Sequence, residues 1–245
     1  MNGTNGHKDT PAPERRLLDD QIAYYRARAA EYDAWWLRTG RFDRGAFDNA
    51  AWHADVAQVE REIVGMLERQ RPSRVLELAC GTGLCTRHIA PRVAHVTAVD
   101  AAPEVIAINR DRVGSANVDY VQADLFTFES QSAYDLVFMG FWLSHVPHAR
   151  FDAFWDMVRR ALAPQGIAWL VDSAHDPTSH AIDHATPDKE AGIATRRLDD
   201  GREFQIVKVF WEPSTLGARL AACGFAAQIA KTPRYFIYGS ASPAT

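Results

Sequence analysis

Apolar positions near the amino terminus recur at steps of three and four. Ile22, Tyr25, Ala29, Tyr32 and Trp36 form one stripe, which predicts a helix from about Leu17 to Trp36 with Tyr24, Arg26 and Arg28 on its other faces. After a break at Gly40 and Gly45, Trp52, Val56, Val59, Ile63 and Leu67 repeat that spacing until Pro72 ends it, predicting a second helix. From Ser73 the pattern changes to short apolar runs separated by helical stretches, as repeated βαβ units of a mostly parallel sheet require. The runs are Arg74 to Leu78, His95 to Val99, Val118 to Val121, Tyr134 to Met139 and Ile167 to Val171. Pro103 reads as a first-turn proline of one intervening helix. Phe151, Phe154, Trp155, Val158 and Leu162 mark the face of another, closed by a turn at Pro164-Gln165-Gly166.

The polar stretch Asp172 to Ala191 lacks any period and predicts a long loop. Beyond it, ATRRLDDGREFQIVKVF predicts a β-hairpin turning at Asp199-Asp200-Gly201. A three-residue loop with a bulge at Gly201 sets Arg196 opposite Phe204 and on one face with Lys208; a two-residue turn puts Arg197 there instead. A helix from Ser214 to Cys223 and strands at Phe225 to Ala230 and Tyr235 to Ser240 complete the chain. The expected fold is α/β: a Rossmann-like sheet with helices on both faces, an N-terminal helical lid and an inserted hairpin. The expected layout is a disordered tail at 1–14 and one domain over 15–245, divided into lid (15–72), ligand-binding core (73–172) and a closing part with loop, hairpin and strands (173–245).

Composition narrows the partners. The 27 basic and 31 acidic residues give a net charge of −4, so no basic surface for nucleic acid or anionic lipid is implied. The longest apolar stretch, Leu136 to Leu143, falls far short of the roughly 20 residues that span a bilayer. Three cysteines, Cys80, Cys85 and Cys223, suit neither a disulfide framework nor a paired zinc site. The polar amino terminus has no signal-peptide core, and a cytoplasmic protein acting on a small molecule is expected.

The stretch VLELACGTGLCT, Val75 to Thr86, places Gly81 and Gly83 where the first strand turns into a helix, so that backbone can approach a ligand. A dinucleotide site wants a further glycine where Thr86 stands, and Glu77 would repel a pyrophosphate. Glu77 could instead hold a cationic amino group, while Asp100, at the end of VTAVD, lies where a carboxylate accepts hydrogen bonds from ribose hydroxyls. A nucleoside without phosphates is favoured, and a nicotinamide dehydrogenase is not.

These residues resemble the class I S-adenosylmethionine-dependent methyltransferases from about Arg74 to Val171. VLELACGTG resembles the family's first motif, VTAVD its ribose-binding acid, ADLF with Asp124 its adenine-contacting acid, and YDLVFMGFWLSHV its fourth-strand motif. The resemblance implies S-adenosyl-L-methionine as cofactor, held by Gly81, Gly83, Thr86, Asp100, Asp124 and Leu125, with Tyr25, Glu77, Ala79, Ala101, Phe141 and Trp142 beside it. QIAYYRARAAEYD, FWLSHVPHARFDAFW and DGREFQIVKVF further resemble small bacterial O-methyltransferases typified by the phosphonate O-methyltransferase of dehydrophos biosynthesis. The tail, the segment WWLRTGRFDRGAFDNAAW and Phe141 depart from that group around the acceptor pocket.

Methyl transfer is an in-line displacement, so it needs a positioned nucleophile, a base where the acceptor is a neutral hydroxyl, or cations where it is an anion. His145, after the fourth strand, is the candidate catalytic base or hydrogen-bond partner. Candidate acceptor contacts are Tyr24, Tyr32, Trp36, Trp142, Arg196 and Lys208; Lys208, among apolar neighbours, needs a partner most. His175, His180 and His184 with Asp176 and Asp183 invite a metal reading, since His180 and His184 share a face if the loop is helical, but no metal is expected. The expected activity is methyl transfer to an oxygen of a small, including an anionic, acceptor. The alternatives are N-methylation and a cofactor-binding protein without transferase activity.

Overall fold

The structure, a computed structural model, describes residues 12–185, 187, 190 and 192–244. Its frame is a seven-stranded sheet of order β3-β2-β1-β4-β5-β9-β8, with a separate two-stranded sheet, β6-β7. β1 (Arg74–Leu78), β2 (His95–Asp100), β3 (Val118–Gln122), β4 (Tyr134–Gly140) and β5 (Leu162–Ser173) pair in parallel. β9 (Phe236–Pro243) runs antiparallel to β5 and to β8 (Phe225–Lys231). The order reverses between β1 and β4, so the carboxyl ends of those strands open a crevice, the usual ligand position of such sheets.

The central strands are apolar on both faces because both are covered. On one side α3 (Gly45–Gln70) and α5 (Pro103–Val113) bring Trp52, Val59, Ile63 and Ile106 onto Val75, Val96, Phe138 and Trp169. On the other, α6 (Phe151–Ala161) and α7 (Pro213–Ala222) bring Phe154, Trp155, Leu216 and Leu220 onto Leu76, Val137 and Leu170. Among the described residues no helix is long and apolar enough to cross a membrane.

Three expectations change. Residues 12–14, assigned to the tail, form the first turn of α1 (Ala12–Ala27), and Glu14 pairs with Arg150; the rest of the proposed tail lies outside the described residues. The single helix predicted to Trp36 breaks after α1 into a 3-10 turn, Ala29–Glu31, and a short α2 (Tyr32–Leu37). Arg28 sits at the break with its guanidinium over the rings of Tyr24, Tyr32 and Phe42, which holds the two helices at an angle. α1 buries Leu18, Gln21 and Tyr24, and Leu18, Gln21, Ile22 and Tyr25 line the crevice. At Pro164-Gln165-Gly166 there is no separate turn: β5 starts at Leu162 and passes through an irregular pairing with β4, with Gln165 at φ 68°.

The hairpin takes the three-residue loop. Leu198 donates to the Arg202 carbonyl, Gly201 adopts φ 90°, and Arg196 pairs with Phe204 across β6 (Ile193–Arg197) and β7 (Glu203–Val207). α1 packs along β7, so the helix and hairpin together roof the crevice.

Candidate active site

The loop after β1 is strained into a cup. Ala79, Gly81 and Gly83 all have positive φ, at 55°, 51° and 88°. The two glycines do different work. A Cβ on Gly81 would meet only a carbonyl at 4.0 Å, so that residue lies against open crevice; one on Gly83 would lie 2.7 Å from Asn109 Oδ1. Asn109 of α5 organises the loop from beneath: its Nδ2 donates to the carbonyls of Cys80 and Gly81 and to Thr86 Oγ1, while its Oδ1 accepts from the Tyr120 hydroxyl. Gly83 and fully buried Thr86, expected to touch the cofactor, thus support the loop rather than line the cleft, and the helix that carries Thr86 is the short α4 (Thr86–Ile89).

A cleft runs from this loop across the strand ends. Tyr25, Ala79, Gly81, Asp100, Ala101, Asp124, Leu125 and Phe141 line it as expected, together with His145, Tyr32 and Trp142. Asp100 is fixed by two backbone donors, Gly81 N–H to Oδ2 and Ala102 N–H to Oδ1, both 3.0 Å. Burial raises its pKa against the lowering effect of those N–H groups. Asp124 caps its own turn by accepting the Phe126 N–H at 2.9 Å. Glu77 opens into a side cleft beneath Tyr32 and Phe141, its Oε2 buried without a hydrogen-bond partner. Burial pushes that carboxyl up to about 8. A buried carboxyl lacking a partner at one end, and a clamped one over the cleft, fit the amino group and the ribose of S-adenosylmethionine.

Tyr25, Tyr32, Phe141 and His145 also face a second cavity under the hairpin. Tyr24, Arg196 and Lys208 line it as expected; Arg28, Trp35, His180 and His184 join them, and no carboxylate is among its described lining residues. Trp36 is not there: it is 5% exposed and packs on Phe141 and Phe236, while its neighbour Trp35 takes the wall and donates to the Ser179 carbonyl at 2.8 Å. Trp142 lines the first cleft beside Phe126, not the second cavity. The segment carrying His180 and His184 is not helical, and among the described residues no group of three ligand-type side chains could hold a metal ion.

His145 is 5% exposed and held at both nitrogens. Nδ1 lies 2.7 Å from the Val207 carbonyl, which can only accept, so Nδ1 carries the proton; Nε2 then accepts the Tyr25 hydroxyl at 2.7 Å. Burial, then the nearby Lys208 and Arg196, hold the imidazole pKa well below its usual value. Burial also lowers the Lys208 ammonium to about 8, opposed by Asp172, and lowers Arg196. Sequence reasoning missed Arg28, read as outward because the helix was taken as continuous, and Asn109, which carries no motif.

Comparison with known proteins identifies the family. Residues 75–166 match the methyltransferase domain family. The DhpI–SAH complex is 36% identical and superimposes with a TM-score of 0.72 over 94% of this chain and 98% of that one; the DhpI–SAM–HEP complex has the same identity and TM-score over 96% and 100%. The N-methyltransferase NodS from Bradyrhizobium japonicum, 16% identical with a TM-score of 0.63 over 91% of this chain and 98% of that one, shares the fold. Among curated relatives, trans-aconitate 2-methyltransferase of Streptomyces avermitilis is 33% identical over 53% of this chain and 51% of its own. Malonyl-[acyl-carrier protein] O-methyltransferase of Acetivibrio thermocellus is 33% identical over 39% and 35%. These matches span about half or less of the curated relatives. With a cup for a sulfonium nucleoside at the switch point of the sheet and DhpI alike over nearly its whole length, the chain belongs to the class I S-adenosylmethionine-dependent methyltransferases.

Proposed function

We propose that the chain transfers a methyl group to an oxygen of a small anionic acceptor held in the second cavity. The observation that carries this reading is the convergence there of Arg28, Arg196 and Lys208 with no carboxylate in the described wall. Buried cations repel one another and lose hydration, and an anion relieves both penalties. An amine acceptor, cationic until it loses a proton, would meet three like charges, which disfavours N-methylation. Among the curated relatives, malonyl-[acyl-carrier protein] O-methyltransferase is named for an oxygen acceptor and trans-aconitate 2-methyltransferase for a carboxylate substrate.

S-adenosylmethionine supplies an electrophilic methyl group when bound. The protein's own part is to hold the acceptor oxygen in line, exclude water and neutralise the acceptor's charge. An oxyanion is already deprotonated and needs no general base. His145 then serves as a neutral acceptor that orients the Tyr25 hydroxyl where cleft and cavity meet. Incubating the enzyme with cofactor and a panel of phosphonates, carboxylates, phenols and amines, read by mass spectrometry, tests the reading: methylated anionic oxygens are expected, and turnover of amines alone overturns it.

Two kinetic outcomes follow from the same geometry. Lys208→Ala should raise KM for an anionic acceptor about tenfold, the loss of one charge-assisted hydrogen bond, with cofactor affinity unchanged. The depressed imidazole pKa means that His145 stays neutral as pH falls through 6.5. Between pH 8 and 6, kcat should therefore lack the acidic limb that a histidine base of ordinary pKa would impose. A limb that disappears in His145→Gln would restore the base assignment.

A further inference from the structure

Lys208 is held by a cluster of buried groups that the methyl transfer does not itself require. It follows β7, with its N–H bonded to the Gly192 carbonyl at 2.9 Å. The flanking residues grip the turn after β4: the Val207 carbonyl binds His145 Nδ1, and the Val209 N–H donates to the Ser144 carbonyl at 2.8 Å. The Lys208 ammonium donates to Ser144 Oγ at 2.9 Å. Behind it stands Asp172 at the end of β5, fully buried, accepting the Ser144 N–H at Oδ2 and the Ser173 N–H at Oδ1, both 2.7 Å. Its Oδ1 lies 3.9 Å from Lys208 Nζ, too far for a direct hydrogen bond but close for two charges in a low-dielectric site.

The face of the Phe210 ring, 5.3 Å from Nζ, adds a cation–π contact, while the other titratable groups acting on the ammonium are unfavourable or neutral. Arg196 from β6 and Arg28 from the end of α1 repel it. His145, from the turn after β4, is neutral and would repel it if protonated. His180 and His184 on the neighbouring segment have pKa values lowered by burial, His184 to about 4, and so carry no charge at neutral pH. Asp172 is the carboxylate that opposes the two arginines, and it does so without entering the cavity wall.

We infer that Asp172 is a positioning residue that keeps Lys208 protonated in the acceptor cavity and thereby sets the upper pH limit for binding an anionic acceptor. The inference deepens the reading of that cavity and rests on it for the kinetic consequence alone. A lysine charged only up to about pH 8 loses its hold on an anion as pH rises through that point, well before a surface lysine would. Removing the carboxylate must bring that loss to lower pH, because the two arginines and burial then act with no opposing charge, only the Ser144 hydroxyl and the Phe210 ring remaining on the ammonium.

The chain has only four lysines, Lys8, Lys189, Lys208 and Lys231, so NMR of the full-length protein labelled at lysine Cε resolves the titration directly, with Lys208→Arg assigning the signal. The Lys208 midpoint should fall by about one pH unit or more in Asp172→Asn, whose amide oxygen can still cap Ser144. It should stay near wild type in Asp172→Glu, which keeps the charge and serves as the comparison if the asparagine variant fails to fold. In Ser144→Ala the midpoint should move by less than in Asp172→Asn. A midpoint unchanged in folded Asp172→Asn overturns the inference, as does one that falls in Asp172→Glu as far as the loss of charge requires. With the acceptor identified by the panel, KM in Asp172→Asn should begin to rise at lower pH than in wild type while kcat is maintained. If Lys208→Ala leaves KM unaltered, the anion-cavity reading fails while the NMR result stands; if Lys208→Ala raises KM but Asp172→Asn shifts neither midpoint nor KM profile, this inference alone fails.

Discussion

Asp100→Ala should weaken binding of S-adenosylhomocysteine about 100-fold or more in isothermal titration. Asp100 is oriented before any ligand arrives, because Gly81 and Ala102 each donate a backbone N–H to one of its oxygens. Its remaining lone pairs face the cleft, where a ribose offers two adjacent hydroxyl donors. Hydrogen bonds to a charged acceptor contribute about 1.5 to 3 kcal/mol each, and losing two accounts for a change of this size. The substitution also frees the N–H of Gly81, which lies in a loop held at positive φ, so the cup loses rigidity as well as its acceptor. Affinity within a few-fold of wild type would move the ribose away from Asp100. Asp100→Asn should fall between the two, since it keeps one oxygen acceptor but turns a donor toward either the backbone N–H or the ligand.

Much of the sheet was legible because parallel strands buried on both faces must be apolar throughout. All five core runs begin at the predicted residue except the last, whose strand is extended backward to Leu162 by the irregular pairing with β4. The hairpin was legible as a hairpin, but two loop lengths left its register open; the structure decides it, with Gly201 at φ 90° setting Arg196 opposite Phe204. The glycine loop was legible as a ligand cup, but not the separate tasks of its members. Thr86 and Gly83 answer to Asn109, an α5 residue brought to them only by the tertiary fold. Arg28 was hidden for a related reason. Helical periodicity assigns faces on the assumption of an unbroken axis, but α1 ends at Ala27, so Arg28 falls at the junction outside it, and the 3-10 turn at Ala29–Glu31 re-aims the side chains that follow. Asp172 carried no signal at all, since a lone acid at the end of an apolar run is usually the start of a loop.

The same broken axis explains a strongly destabilising substitution. Periodicity placed Trp36 on the ligand-facing stripe, one step along from Tyr32, yet the restart of the helix at Tyr32 turns Trp36 into the interior and Trp35 to the cavity. Trp36 packs edge-on against Phe141 and beside Phe236, and its carbonyl accepts the indole N–H of fully buried Trp52 at 3.0 Å. Trp36→Ala should therefore lower unfolding stability by about 3 to 5 kcal/mol in urea, the range for truncating a buried aromatic side chain that leaves a void. Trp35→Ala removes a half-buried ring and its hydrogen bond to the Ser179 carbonyl, so its stability loss should be smaller and its main effect a raised acceptor KM. The pair of adjacent variants separates the two roles in one comparison. If Trp36→Ala raises KM with little loss of stability, and Trp35→Ala does the reverse, the helix runs unbroken through Arg28 and the cavity wall must be redrawn.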